Sequence, residues 1–391
     1  MKSLLLAVLL FGCGSATGPH LPDAEVLTLS SIAVTPGTIT AKYGLDAPTQ
    51  LIATATLSNG TTKDISDRAT WTSSSATIAS VSSGGLVTPL SSGDAMVTAT
   101  LDTTSGSASI TVAAPTMVIG EFGPGGIDFF PANSNGNVAP TRSIRGAMTG
   151  FSEPREIAIH GQELFVVDPG TSTVDVFPLD GSGNLVPTRK ITGALTTLAS
   201  PYAIAFKDDE MYVTSSTSVA VFPVTANGNV VPTRTITNAA TAFVQPCGIA
   251  ILDDELYVMA LNQHTISVFP TTSNGNVPPA RTITMTTSYS TCGLNIHGDE
   301  IFVGNQESEV ITVFDRKASG PATPLRAIIG PLVALNYTEQ TFVLGSELYV
   351  PSAENNTIQV YDVESTGNTA PKRSLVGAAT LLADPIGIVM Y

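Results

Sequence analysis

From about residue 28 onward the chain alternates apolar and polar residues in short runs, and Gly, Pro, Asn or Asp soon interrupts each run. Ile32-Ala33-Val34-Thr35-Pro36 is one such run and Leu51-Ile52-Ala53-Thr54-Ala55-Thr56-Leu57 another. Asn59-Gly60 follows, a pair that accepts positive φ and predicts a hairpin turn. Ala69-Thr70-Trp71-Thr72, Ile78 to Val81, a Gly84-Gly85 turn, Leu86-Val87, Ala95 to Thr100 and Ser109 to Val112 complete the block. A period of two places alternate side chains on opposite faces, so these runs are strands with one face in a core. Seven or so short strands over residues 28–114 predict a β-sandwich.

Beyond residue 115 the pattern repeats. The phrase Phe-Phe-Pro…Gly-Asn-Val-Ala-Pro-Thr-Arg-Ser-Ile at 129–144 returns at 176–191, 221–236, 268–283, 313–328 and 360–375. Its arginines, Arg142, Arg189, Arg234, Arg281, Arg326 and Arg373, are separated by 47, 45, 47, 45 and 47 residues. One unit reads as four strands: Pro246 to Ile251, Leu256 to Val258, Ile266 to Phe269, and Ala280 to Ile283. Four strands per unit at this period is a β-propeller blade, which needs neighbours to bury both its faces. The first strand of a unit appears internally at Ile157, Ile204, Ile249, Leu294 and Thr341, and again at Pro385 to Met390. The first unit begins at Met117 and lacks only that strand. The last segment therefore supplies it, and the ring closes with six blades over residues 115–391. The expected fold class is all-β: an immunoglobulin-like β-sandwich followed by a six-bladed β-propeller with terminal strand closure.

The first residues carry a different signal. Met1-Lys2, the apolar run Leu4 to Phe11 and the small residues around Cys13 have the order of a secretory signal, too short to span a bilayer. Leu10-Phe11-Gly12-Cys13 resembles the lipobox of bacterial lipoproteins. The resemblance implies cleavage after residue 12, lipidation of Cys13 and a tether over residues 13–27. Gly14 after the Cys implies the outer membrane by the enterobacterial sorting rule.

Val34-Thr35-Pro36, Trp71 through Val81, Gly85-Leu86-Val87 and Gly93-Asp94-Ala95 resemble the group 2 bacterial immunoglobulin-like domain, found in surface proteins as an adhesive module or a spacer. The propeller is similar at fold level to the NHL and lactonase-like six-bladed group. Fold alone carries no function.

Charge narrows the partners. The net charge is −15, with 17 basic residues against 32 acidic ones, and the repeat arginines are dispersed. Nucleic acid needs clustered cations to release counterions, so it is excluded as a partner. The repeat arginines are expected to pair with carbonyls or acids of their own or the next blade. Glu163, Glu210, Glu255, Glu300 and Glu347 precede the second strands and are expected as solvated turn charges. In the fifth copy Gly320-Pro321 replaces Gly-Asn, so that loop should differ.

Propellers bind ligands at the axial channel. Alignment of the blades brings Arg155, Tyr202, Cys247, Cys292, Glu339 and Ile386 into register at the start of the inner strands. Glu153, Ser200, Gln245, Ser290, Thr338 and Asp384 stand just before them. The candidate mouth residues are Glu153, Arg155, Tyr202, Gln245, Glu339 and Asp384. Lactonase-like propellers hold a divalent cation there, and Glu153, Glu339 and Asp384 would be its carboxylates. A ring with one guanidinium, two thiols and an Ile departs from that donor set. Cys247 and Cys292 are open to three readings: a disulfide, two buried free thiols or a soft-metal site, with the bridge preferred. The four His form no zinc spacing, and no nucleophile elbow, P-loop or haem motif occurs. No cofactor is expected. The expectation is a lipid-anchored envelope protein, non-enzymatic, binding a glycan, a peptide or an envelope protein. The alternatives are a channel-centred hydrolase or lactonase and a structural envelope subunit.

Overall fold

The computed structural model describes residues 27–122, 125–237, 245–261, 263–286, 291–306 and 309–391. The chain divides into two compact units between Ala114 and Pro115. Cys13 and Ser290 lie outside the described residues.

The first unit is a sandwich. Leu29–Thr35, Ile52–Leu57 and Thr62–Asp64 form one sheet, and Thr38–Lys42, Thr104–Ala113, Gly93–Leu101 and Thr70–Ser73 another. Thr49–Gln50, Leu86–Pro89 and Ala79–Val81 pair in a third, smaller sheet. Alternation decides what is inside: Ala108, Ile110 and Val112 of one strand meet Ile32, Val34, Ala53 and Val97 in the core. Trp71 belongs to this core, and its indole donates to the Ser66 carbonyl at 2.9 Å. The Asn59-Gly60 pair turns the hairpin between Ile52–Leu57 and Thr62–Asp64.

In the second unit the described strands fall into six antiparallel sheets, each ordered inner, second, third and outer. Blade two, for example, runs Ile157–His160, Glu163–Asp168, Thr173–Pro178 and Arg189–Ile191. In blade six the inner strand is Phe342–Leu344, so Thr341 stands just before it. The second strands are apolar without alternation, as in Leu164 to Val167 and Leu256 to Met259, because neighbouring blades cover both their faces. Six equivalent third-strand rings, Phe130, Phe177, Phe222, Phe269, Phe314 and Tyr361, are wholly buried. Apolar clusters lie between successive blades, and Val118 and Ile157 meet in the one that joins blades one and two.

Blade one is built from both ends of the unit. Thr116–Glu121 pairs antiparallel with Pro385–Met390, with Met117 opposite Met390 and Ile119 opposite Ile388. Terminal closure therefore leaves six blades in the ring.

At the rim two further devices join each blade to the next. The positive-φ glycine of every Gly-Asn phrase, or of Gly320-Pro321, pairs in parallel with the preceding outer strand: Gly183 with Ile144, Gly228 with Ile191, Gly367 with Ile328, and Gly136 with Leu375 across the closure. Gly275 pairs with Ile236 in the same way. At the fifth copy the pairing lengthens to three residues, Gly320 to Ala322 against Ile283 to Met285. In four junctions the adjoining Asn side chain caps a backbone N–H of the preceding turn, as Asn184 does for Met148 at 2.8 Å and Asn137 for Ala379 at 2.7 Å. It lies over Gly146, Gly193, Gly330 or Gly377, where a Cβ would occupy the same space. Met285 stands at that glycine position where Pro321 replaces the Asn.

The second device is the repeat arginine. Arg189, Arg234, Arg281, Arg326 and Arg373 pair with Glu163, Glu210, Glu255, Glu300 and Glu347 of the same blade. These glutamates are not solvated turn charges. The outer strand lies two strands from the second, and an arginine is long enough to span the gap. Each guanidinium also donates to carbonyls in the next blade, Arg189 to Ala226 at 2.7 Å and Arg373 to Ala132 at 3.0 Å across the closure. The Arg281 guanidinium, hydrogen-bonded to Glu255, holds that carboxyl down to about 2. Blade one has Thr116 in place of the glutamate. There Arg142 donates instead to the Tyr391 hydroxyl at 2.8 Å and to the Leu179 carbonyl at 2.5 Å.

Arg373→Ala should therefore destabilise the propeller by about 1–3 kcal/mol, the range for charge-assisted bonds left unmade. Lys372→Ala, which removes a more exposed ion pair, should cost well under about 1 kcal/mol. Urea midpoints of the two variants measure this, and equal losses would mean that the rim arginine is an ordinary surface charge.

Candidate functional site at the channel mouth

Antiparallel order puts the start of each inner strand and the end of each second strand on one face. The residues aligned at that start do form an inner ring. Cys247 and Cys292, in adjacent blades, are joined by a disulfide with their Cα atoms 5.2 Å apart. On the other side of the axis the Arg155 guanidinium meets the Glu339 carboxylate at 2.5 Å. Arg155 also lies over the rings of Tyr202 at 4.5 Å and Phe122 at 4.7 Å. Gln306 donates a second bond to Glu339 at 2.8 Å.

One residue further along, the backbones close in. Gly293 lies against the Glu339 carbonyl and Gly387 against that of Arg155, where no side chain would fit. The equivalent Gln340 and Glu156 instead accept neighbouring N–H groups, Gln340 from Ile388 at 2.7 Å and Glu156 from Ile204 at 3.3 Å. A disulfide, an ion pair and close-packed backbone thus occupy the axis below the mouth.

Above the ion pair lies a cavity of 230 Å³ lined by Phe122, Arg155, Tyr337, Ala353, Glu354, Asp384 and Ile386. Arg155 and Asp384 were legible as mouth residues, while Glu339 and Tyr202 support Arg155 from behind. Glu153 and Gln245 are exposed on the rim and do not line the cavity. Glu153 is fixed by its N–H donating to Asp168 at 3.1 Å, and Gln245 by its N–H donating to Ser216 at 3.0 Å. Thr338 is not a rim residue: it is buried, and its N–H donates to the Asn305 carbonyl at 3.0 Å. Tyr337 takes the rim position instead. Ser200, Gln245, Tyr337 and Asp384 share φ values of 43°, 52°, 54° and 51° at this one turn, so the left-handed conformation belongs to the repeat. Phe122, Ala353 and Glu354 follow second strands, so alignment of the inner strands alone does not reveal them.

A divalent cation wants several hard oxygens around one point. Here Glu339 is the ring's one carboxylate, and Arg155 and Gln306 already engage it. Among the described residues no group of three His, Cys, Asp or Glu side chains is placed to hold a metal. The mouth does not fit the cation that the lactonase resemblance implies. A more open depression of 380 Å³ on the opposite face is lined by Ser346 and Asp362 to Ser365 and has no aromatic ring in its wall.

Under the mouth, blade one buries a second charged cluster. Glu121 and Asp128 are wholly buried, and Arg145 reaches both, at 2.7 Å and 2.5 Å. Burial, with the negative charge of Asp128 beside it, pushes the Glu121 carboxyl up to about 8.

Residues 29–112 match the bacterial Ig-like domain (group 2). Residues 88–330 match the family described as lactonase, 7-bladed beta-propeller. That span is more than half of the chain. The chain belongs to the lactonase propeller family. This lactonase-family member has six blades where the family description has seven, and its match begins inside the sandwich. Ice-binding protein 1 of Shewanella frigidimarina (strain NCIMB 400) is 38% identical over 85 residues, which is 22% of this chain and 9% of that protein. This chain thus spans a small part of that relative. A propeller in a nidogen/laminin complex structure aligns with a TM-score of 0.50 and 14% identity, over 71% of this chain and 98% of its own. The WD40 β-propeller domain of Doa1 aligns at 0.46 with 10% identity, over 68% and 84%. These likenesses concern fold alone.

Two outcomes follow from the site. Replacing Cys247 and Cys292 together by Ser should cost about 2–4 kcal/mol, as expected for opening a crosslinked loop of 45 residues. An unchanged urea midpoint would show that the crosslink is not made in solution. Glu121 binds its proton more tightly folded than unfolded, so its contribution is full below about pH 4.5 and is lost as pH rises towards about 8. Glu156, raised by burial, acts in the same direction, so the informative quantity is a difference between proteins. Glu121→Gln should gain stability over the wild type steadily from pH 5 to pH 8, and a pH-independent difference would contradict the buried carboxyl.

Proposed function

We propose that this protein is a lipid-anchored binding module of the bacterial envelope, held through Cys13, that recognises its partner at the channel mouth. The observation that carries the reading is the mouth itself. Polar groups and aromatic rings converge on a 230 Å³ cavity above an axis already filled by an ion pair and a disulfide. Concave, partly apolar sites with a few placed polar groups are the usual form of ligand sites. The bacterial Ig-like domain between the proposed anchor and the propeller supports the role of spacer, the lipobox-like Leu10 to Cys13 supports the lipid anchor, and Gly14 supports an outer-membrane address. The partner is a glycan, a peptide or an envelope protein.

Family membership favours a second reading, hydrolysis of a lactone in the channel. Against it, Glu339 is the one carboxylate of the inner ring, and it is committed to Arg155 and Gln306.

Cys13→Ser should shift the full chain from the membrane pellet to the soluble fraction, and equal sedimentation of both proteins would remove the anchor. Envelope material should co-purify with the wild type and be lost in Glu354→Arg at unchanged melting temperature; retention would remove the mouth. Simple lactones should turn over no faster with the wild type than with Glu339→Gln, and a large drop in that variant would favour the hydrolase.

A further inference from the structure

We infer that the mouth cavity takes a neutral saccharide unit, with Asp384 and Glu354 accepting from its hydroxyls and Arg155 donating to them. The inference rests on the mouth being the binding site and adds what the site is chemically suited to hold.

Charge removes one class. The Arg155 guanidinium is already neutralised by Glu339. Asp384 and Glu354 remain at the cavity, Glu153 stands on the same rim, and no other cation lines the cavity. An anionic ligand would have to leave water and approach two carboxylates that have no counter-charge, which costs several kcal/mol for like charges in contact. The chain's net charge of −15 adds to this at longer range.

The aromatic groups weaken a second class. A cationic ligand gains most from an open ring face. The faces of Phe122 on the cavity wall and of Tyr202 behind it are already occupied by Arg155, at 4.7 Å and 4.5 Å. A cation would be drawn by Asp384 and Glu354 alone, so a cationic sugar is the probe that competes with the neutral ones.

A hydroxyl group both donates and accepts, and the lining calls for both. Among the described residues the Asp384 side chain has no hydrogen-bond partner, and it faces solvent. Glu354 uses Oε2 to accept from Asn336 at 2.7 Å, which leaves Oε1 free. On the donor side, the Arg155 guanidinium lines the cavity, with one terminal nitrogen on Glu339. Phe122, Ala353 and Ile386 give the apolar wall that the C–H face of a sugar ring requires.

Volume sets the extent. A cavity of 230 Å³ is below the ~300–1,000 Å³ of sites that enclose drug-sized ligands. One ring fits, and further units of a chain would point into solvent.

The test uses the full chain and six probes, followed by calorimetry and by saturation-transfer NMR. Four are neutral: methyl α-glucoside, methyl α-mannoside, methyl α-galactoside and N-acetylglucosamine. Glucuronate and glucosamine supply the anion and the cation. At least one neutral probe should bind at least about tenfold tighter than both charged ones. Asp384→Asn should weaken that probe about tenfold or more, as for loss of a charged acceptor, while the melting temperature stays the same. If glucosamine or glucuronate binds tightest and is still sensitive to Asp384→Asn, the mouth stands and the neutral-saccharide inference is wrong. If none of the six binds, the inference is also wrong, and capture of envelope material by wild type but not by Glu354→Arg then decides whether the mouth survives. Binding of a neutral probe untouched by Asp384→Asn would place the sugar elsewhere and overturn the assignment.

Discussion

The propeller depends on one pairing between segments about 270 residues apart, Thr116–Glu121 with Pro385–Met390. Joining the ends of a chain that long costs on the order of 5 kcal/mol in entropy. Burial of Ile386, Ile388 and Met390 on the closing strand returns about 1.5–3 kcal/mol for each side chain. The two terms nearly cancel, so closure gains its margin from contacts shared around the ring. The mouth cavity exists only once this has happened. Ile386 and Asp384 come from the closing segment and Phe122 from the strand it joins, while Gly387 packs on the carbonyl of Arg155.

Those shared contacts are repeated with substitutions that compensate one another. In four junctions the Asn of the rim phrase stands against a glycine of the preceding turn; where Pro321 replaces the Asn, Met285 stands in the glycine's place and the strands pair over three residues. Where glutamate is missing in blade one, Tyr391 supplies the oxygen that Arg142 needs. Inside the ring the same position is a glycine in three blades, Ala203 in one, and in the other two a residue such as Gln340 that reaches the next blade. The variation is greatest at the mouth, where the six equivalent positions carry Arg155, Tyr202, Cys247, Cys292, Glu339 and Ile386. A repeat that holds its rim constant and varies its mouth is the pattern that the proposed recognition at the mouth calls for.

How much of this the sequence discloses follows from the range of each interaction. The period, the blade count and the closing strand are legible because they rest on local alternation and on spacing. The partner of each repeat arginine is legible only by kind. The glutamates lie 24 or 26 residues away and look like turn charges until the antiparallel register sets them two strands from the arginine. Arg155 and Asp384 could be found by aligning inner strands. Phe122 and Glu354 come from the other type of connection and share the face only through the up-and-down order of the blade. Tyr337 was displaced by one residue because blade six has Thr338 where four other blades have proline. The Glu121–Asp128–Arg145 cluster had no signal in sequence, since burial of its two carboxylates is a property of the closed ring.

Native-state amide hydrogen exchange by NMR or mass spectrometry tests the closure most directly. The amides of Met117 to Gly120 and Ile386 to Met390 should exchange as slowly as those of Leu256 to Met259 in the middle of the ring, since all would open only with global unfolding. Fast exchange in the last strand, at the rate of a fraying end, with slow exchange elsewhere, would mean an open ring and a mouth without two of its walls.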